Sequence, residues 1–399
     1  MYRVLHINTQ FASLGGVEAV LRAHHQRDLA AGIDSRFVAF WEAETPGWQR
    51  CKFLSFHPNL AIREARQRVR LAWPGFQPDL VVHHTLWGQP YWQDLDGKTR
   101  RVLYLHSDVP DLREKLTSRL PSMDAVMAVS DQLLDRAREA VPHWQAERFH
   151  RIYYPVFVPD KPLPSPQRSR SRCLVIGYAG RLTRQQKRVE RFIELARLLE
   201  GSDFCWRLEF LGDGDERGAL ERALPNREQV LFHGRKQGDE YWRILASWDV
   251  LAFVSDYEGT PIAMLEALSQ GVLPLHPALG SGGDQYASSI DPALIYEPGN
   301  LGDLASRIKM VSEWPDSRWM GAVDRARRLL EPHAGSFYMQ VFHECVQRIA
   351  HLPALNKPRE RIWGFPTDRF SFSLFERLLR CRRRFSKSRL ESAPYPNGK

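Results

Sequence analysis

Residues 250–271 read VLAFVSDYEGTPIAMLEALSQG. The stretch opens as an apolar strand over Val250–Ser255, breaks at 256–260, and resumes as a helix between Pro261 and Gly271. Pro261 suits a first helical turn, where its missing N–H costs nothing, and Gly271 suits the end. Ile262, Ala263, Met264, Leu265, Ala267 and Leu268 make that helix apolar on nearly every side, which marks it as buried. Glu266 sits among them, and an unpaired carboxylate there is costly. It calls for a ligand hydroxyl, a cation or a backbone donor. An apolar strand running through a loop into a buried helix is one unit of a doubly wound parallel α/β sheet. Ligands of such sheets bind beyond the carboxyl ends of the strands, which is where Glu258 falls. The amides of Ile262 and Ala263, free at the helix start, favour an anion there. The plainer alternative has Glu258 capping the helix and Glu266 pairing with a structural arginine.

The same alternation recurs on both sides of this unit. Leu174–Tyr178, Leu208–Leu211, Val230–His233 and Val272–Leu275 read as strands, with helices at Val189–Leu199 and Leu301–Val311. Earlier, Val4–Ile7, Ser35–Phe40, Leu80–His84, Val102–His106 and Ala125–Val129 read as strands. Gly16–Ala31 is a helix, and Asp131–Ala140 is another behind the N-cap Ser130. Between the two series, Pro155–Pro166 carries five prolines, a stiff extended connection. A chain of 399 residues suits two domains. The expected division is 1–160, 161–335, a helix over 336–352 returning toward the first domain, and a basic tail over 353–399. Two facing α/β units enclose a cleft, a favoured place for a ligand.

The net charge is +9, and the last 44 residues hold 12 Lys+Arg against 4 Asp+Glu. A neutral body argues against nucleic acid, and a basic tail suggests tethering. No window approaches ~18 consecutive apolar residues. Met1–Ile7 is too short and interrupted for a signal peptide. The cysteines Cys51, Cys173, Cys205, Cys345 and Cys381 are odd in number and lack a C-x-x-C pair, which reads as reduced thiols in a cytoplasm. His83 and His84 point to opposite faces of their strand, and Asp94/Asp96 and Asp213/Asp215 read as ordinary segments, so no metal site is expected.

Three further patterns carry chemistry. In Tyr178–Glu190, a strand ends at Gly180 and a helix begins near Lys187. Arg181, Arg184 and Lys187 at that connection suit a phosphate or pyrophosphate, with a solvated basic loop as the alternative. Gly15 and Gly16, after the first strand, allow close backbone approach to a ligand at a helix start, though G-x-G-x-x-G is absent. His106 closes an apolar strand where it can reach a ligand; the alternative is a hydrogen-bonded structural histidine.

Taken in order, Gly15-Gly16-Val17-Glu18, His106, Ala128-Val129-Ser130, Gly180-Arg181 with Lys187, Gly212-Asp213-Gly214, Phe232-His233-Gly234 and Glu258-x7-Glu266 resemble the family 4 glycosyltransferases. The resemblance covers residues 1–352. It implies the GT-B fold, with two doubly wound Rossmann-like domains facing a cleft, acceptor side first and donor side second. It implies that Arg181 and Lys187 bind the donor pyrophosphate, Glu266 holds the ribose, Glu258 contacts the sugar, and Arg235 lies near the base. Gly15, Gly16, Ile262 and Ala263 would touch phosphate or sugar through their amides, and His106 would sit beside the reacting sugar. His106, Glu258, Arg181 and Lys187 are the implied catalytic set. The implied activity is retaining hexosyl transfer from a nucleotide-diphosphate sugar to a saccharide or lipid-linked acceptor in bacterial surface-polysaccharide or lipopolysaccharide synthesis. No metal and no cofactor besides the donor substrate are implied. Thr260 replaces a common aromatic, and residues 277–285 lack the usual Pro-Glu-Ile/Val. A sugar-nucleotide epimerase on the same fold and a non-catalytic polyanion-binding protein are the competing readings.

In residues 370–390, Phe372, Phe375, Leu378, Leu379 and Phe385 can share a helical face flanked by Arg377, Arg380, Arg383, Arg384 and Lys387. Such a helix lies in an anionic membrane interface, which would dock a cytoplasmic protein on the inner face of the membrane. The alternative is a helix packed on the first domain.

Overall fold

The computed structural model describes residues 1–12, 15–92, 99–158, 173–226, 228–353, 355, 369–375 and 377. Runs buried on both faces form the sheets. In the first lobe these are β1 (Tyr2–Asn8), β2 (Ile33–Ala39), β3 (Cys51–Phe53), β4 (Leu80–His83), β5 (Arg100–Leu105), β6 (Ala125–Ala128) and β7 (Phe149–Arg151). The helices between them are α1 (Gly16–Arg27), α2 (Ile62–Leu71), α3 (Gln89–Trp92), α4 (Leu112–Arg119) and α5 (Asp131–Ala140). The second lobe has β8 (Leu174–Ala179), β9 (Trp206–Leu211), β10 (Val230–Gly234), β11 (Val250–Ala252), β12 (Leu273–Pro277) and β13 (Ile295–Tyr296). Its helices are α6 (Arg191–Glu200), α7 (Arg217–Ala223), α8 (Gly238–Ala246), α9 (Ile262–Ser269), α10 (Gly282–Ile290), α11 (Leu301–Ser312) and α12 (Asp316–Leu329), followed by α13 (Gly335–His351).

The sheet orders are β3-β2-β1-β4-β5-β6-β7 and β10-β9-β8-β11-β12-β13, and the paired strands are parallel. Each sheet reverses its winding once, between β1 and β4 in the first and between β8 and β11 in the second. Loops diverge at such a switch point and leave a crevice at the strands' carboxyl ends.

The lobes touch at several places. Ser107, after β5, forms an antiparallel bridge with Gly259. A Cβ on Gly259 would strike the His106 carbonyl oxygen, so only glycine permits this approach. Val156 pairs with Ala334. The helix α13 docks on the first lobe: Arg100 and Arg148 donate to the carbonyls of Leu352 (2.8 Å) and Pro353 (3.0 Å).

Tertiary structure moves several boundaries. β11 stops at Ala252 rather than Ser255, and α6 starts at Arg191 rather than Val189. The break before α6 is local: Gln186 (φ 63°) and Arg188 (φ 51°) are left-handed, so the helix cannot extend back through them toward Lys187. The cysteine reading is corrected. Cys173 and Cys205 form a disulfide, because the parallel register of β8 and β9 puts them side by side at a Cα–Cα distance of 4.4 Å. Their linear separation of 32 residues hides that contact. Cys51 and Cys345 are free and buried; Cys381 lies outside the described residues.

The start of the tail also differs from a lipid-facing helix. Ser371 bridges Ala61, and Phe372 is 1% exposed among Trp41, Phe56, Trp87 and Tyr91. Phe375 also packs against Tyr91. Burying Phe372 against protein removes it from any membrane-facing stripe. Leu378, Leu379, Arg380, Arg383, Arg384, Phe385 and Lys387 lie outside the described residues.

Candidate active site

Both switch points face one another across the cleft. On the second lobe, the loop after β8 carries Arg181 and Lys187. Lys187 is held between two left-handed residues, Gln186 and Arg188, a backbone choice that costs of order 1–3 kcal/mol per residue. Its neighbours tie the loop to the one after β11. Gln186 accepts from the Asp256 amide (2.8 Å) and donates to Tyr257 O (3.2 Å), and Asp256 pairs with Arg188 (3.2 Å) and Arg191 (2.6 Å). The result is a direct ion pair from Lys187 Nζ to Glu258 Oε1 at 2.7 Å. Ser255 Oγ donates to the same oxygen at 2.5 Å. Glu258 is buried, so these donors replace the water it loses.

The helix α9 starts with Pro261 in an extended conformation. The first bond inside the helix runs from the Met264 amide to Pro261 O, which leaves the amides of Ile262 and Ala263 at the tip. Gly16 of the first lobe faces that tip: a Cβ there would stand 3.4 Å from Ile262 Cδ1. Glu266, one turn further, receives a hydrogen bond from the Tyr241 hydroxyl of α8. Burial raises its pKa to about 7, against the pull of Tyr241 and of Arg22 on α1. The carboxylate inside the apolar helix therefore has a tyrosine donor, and Arg22 is the arginine within its electrostatic reach.

On the first lobe, the Glu18 side chain folds back over Gly15. Burial raises its pKa, opposed by Arg181 from across the cleft and by Arg22. His106, beyond β5, has both ring nitrogens occupied, by His84 Nδ1 at 2.9 Å and by the Tyr154 hydroxyl at 2.6 Å. Burial drives its pKa down to about 3, so the ring is neutral at ordinary pH. Arg235 is exposed just after β10.

Arg181, Lys187, Glu258, Glu266, Ile262, Ala263, Gly15 and Gly16 thus lie at the carboxyl ends of the switch-point strands or on the helices that follow them. Sequence reading missed Tyr241, Arg22, Ser255 and Tyr154. Tyr241 and Arg22 carry no spacing signal, since each comes from an element remote in sequence. Ser255 has one: it sits three residues before Glu258 and can reach back to it.

Among the described residues, His6, His24 and Asp28 are the group whose ligand-type atoms lie within 4.8 Å of one another. They bond to one another and to Tyr338, Ser35 and His84.

Residues 173–313 match the family model described as "Glycosyl transferases group 1". The lipopolysaccharide 1,6-galactosyltransferase of Escherichia coli (strain K12) is 28% identical over 161 residues, which are 38% of this chain and 42% of that protein. A sulfoquinovosyl transferase of Arabidopsis thaliana is 30% identical over 127 residues, 30% of this chain and 24% of that protein. The chain thus spans less than half the length of these curated relatives. Among solved structures, the apo form of the lipopolysaccharide outer core galactosyltransferase WaaB superposes with a TM-score of 0.61 at 19% identity, covering 86% of this chain and 99% of that one. HepE of Anabaena in complex with UDP superposes with a TM-score of 0.64 at 15% identity, covering 87% and 100%. Residues 173–313 of the second lobe therefore match a glycosyl transferases group 1 domain, part of the chain is similar to the lipopolysaccharide galactosyltransferases, and the two lobes together have the GT-B fold.

Proposed function

We propose that the protein transfers a hexosyl group, with retention of configuration, from a nucleotide-diphosphate sugar to a saccharide or lipid-linked acceptor in cell-surface glycan synthesis. The observation that carries this reading is the strained loop that holds Lys187 against Glu258, with Arg181 on the same loop and the free amides of α9 following Glu258. Loss of a diphosphate from an anomeric carbon separates charge. Fixed cations and helix-end amides stabilise that separation without reorganising. Displacing Glu258 from Lys187 on donor binding would free the carboxylate for sugar hydroxyls and the ammonium for phosphate. Glu266 and Tyr241 offer the polar pair for a ribose diol. These cations supply the positive field that other enzymes take from a metal, so the proposed reaction is metal-independent and continues in excess EDTA.

The test is donor turnover across a panel of nucleotide sugars. UDP-galactose heads the panel because the Escherichia coli relative is a galactosyltransferase. Released free sugar nucleotide of inverted configuration, with no transfer to acceptor, would replace this reading with epimerisation.

The proposal places the protein in the cytoplasm, docked peripherally on an anionic membrane, with no nucleic-acid partner. Two features support docking: the exposed arginines Arg63 and Arg70 on α2, and the exposed Leu71 at the end of that helix. No helix among the described residues is long and apolar enough to cross a membrane. Sedimentation with anionic vesicles, compared for the full chain and a chain lacking residues 378–399, measures the tail's share. Binding equal to that with neutral vesicles would remove the membrane from the proposal.

A further inference from the structure

Beneath the cleft, a line of buried side chains crosses the first sheet. His6 Nδ1 meets His84 Nε2 at 2.9 Å, His84 Nδ1 meets His106 Nε2 at 2.9 Å, and His106 Nδ1 meets the Tyr154 hydroxyl at 2.6 Å. At the far end, His6 Nε2 faces Asp28 Oδ2 at 3.7 Å and Ser35 Oγ at 3.4 Å. Burial keeps His6, His84 and His106 neutral. Although burial opposes it, His24 and His6 hold the Asp28 carboxyl well below its usual range.

A neutral imidazole has one donor and one acceptor nitrogen, so three rings in series have only two consistent arrangements. In the first, every proton points toward Asp28. In the second, every proton points toward Tyr154, and a bare His6 nitrogen faces a carboxylate. Ser35 cannot relieve that clash, because its proton already goes to Asp28 Oδ2. The second carboxylate oxygen takes a bond from His24 Nδ1 at 2.9 Å. The anion therefore selects the first arrangement.

We propose that Asp28 orders a one-way hydrogen-bond chain, Tyr154 to His106 to His84 to His6, that leaves the Tyr154 oxygen only lone pairs to offer the cleft, where it accepts a saccharide hydroxyl. Tyr154 bonds to His106, whose next residue, Ser107, bridges Gly259 beside Glu258 at the lobe contact, and its hydroxyl lies within electrostatic reach of Glu18 and Glu258, one carboxylate from each lobe. His106, with both nitrogens engaged, orients Tyr154 rather than touching the sugar through a ring nitrogen. Asp28, His6 and His84 are positioning residues that act through it.

The chain itself is tested on the full-length wild-type protein labelled with 15N-histidine, by long-range proton–nitrogen correlation through the ring carbons. The expected result is Nε2–H tautomers for His6, His84 and His106 and an Nδ1–H tautomer for His24. An Nδ1–H form at any of the first three overturns the chain, and no variant has to fold for that outcome. The role of Tyr154 rests on the glycosyl-transfer reading and is tested in turnover. Tyr154→Phe should raise KM for one saccharide substrate by about 3–10-fold, the loss of one hydrogen bond. Asp28→Asn, far from any substrate, should raise the same KM and shift His106 toward the Nδ1–H form. An unchanged KM in Tyr154→Phe overturns the binding role. A wild-type protein inactive on every nucleotide sugar would instead reject the glycosyl-transfer reading, with the chain still decided by the tautomers.

Discussion

The Tyr241 hydroxyl donates to the Glu266 carboxylate across the gap between α8 and α9. The carboxylate is stripped of enough water that its pKa rises to about 7 despite that bond. A raised acid pKa means that the folded state binds more protons than the unfolded one between about 4.5 and 7. Stability then falls as pH rises through that window. The urea midpoint should accordingly drop from pH 5 to pH 7.5, with a contribution from this group on the order of 1–3 kcal/mol. Glu266→Gln should flatten that part of the profile. An identical slope in the variant would show that Glu266 is not the titrating group.

Lys187→Ala removes a positioned cation and leaves the buried Glu258 carboxylate held by the Ser255 hydroxyl. Donor turnover should fall by about 10²–10³-fold in kcat. Initial rates with saturating donor measure it, and a rate within threefold of wild type would reject the role of the ammonium.

Gly259→Ala drives a methyl group into the His106 carbonyl across the lobe contact. Backbone cannot give way as a flexible side chain can, so the lobes must separate. Small-angle scattering should report a larger radius of gyration, and turnover should fall with it. An unchanged radius would show that the Ser107–Gly259 bridge does not set the closure.

Phe372→Ala should lower stability by about 3–5 kcal/mol, the usual cost of emptying an aromatic site in a core. Its ring lies among Trp41, Phe56, Trp87 and Tyr91. Thermal unfolding checks this, with Leu374→Ala as the exposed control expected within about 0.5 kcal/mol.

Much of the fold was legible because its strands are buried on both faces and its helices carry ordinary end signals. Asp131–Ala140 behind Ser130 is found as read, and the Ser130 hydroxyl accepts from the Leu133 amide. Short edge elements such as β3, β7 and β13 escaped, since three or fewer residues hold no periodicity. The helices α2, α4, α7, α8 and α12 also went unread, their apolar positions diluted by charge, as did the four-residue α3 and the Gly- and Ser-rich α10.

Residue order by itself determined the two α/β series, the glycines that let loops approach, and the placement of Arg181, Lys187, Glu258 and Glu266 beside strand ends, because these follow from local steric and hydrophobic pattern. Only the tertiary structure decided that Lys187 closes on Glu258, that Tyr241 satisfies Glu266, that Cys173 meets Cys205, and that His106 is spent on His84 and Tyr154. Those partners are distant along the chain, and side-chain chemistry alone cannot say which of many compatible groups packing will bring within hydrogen-bond reach.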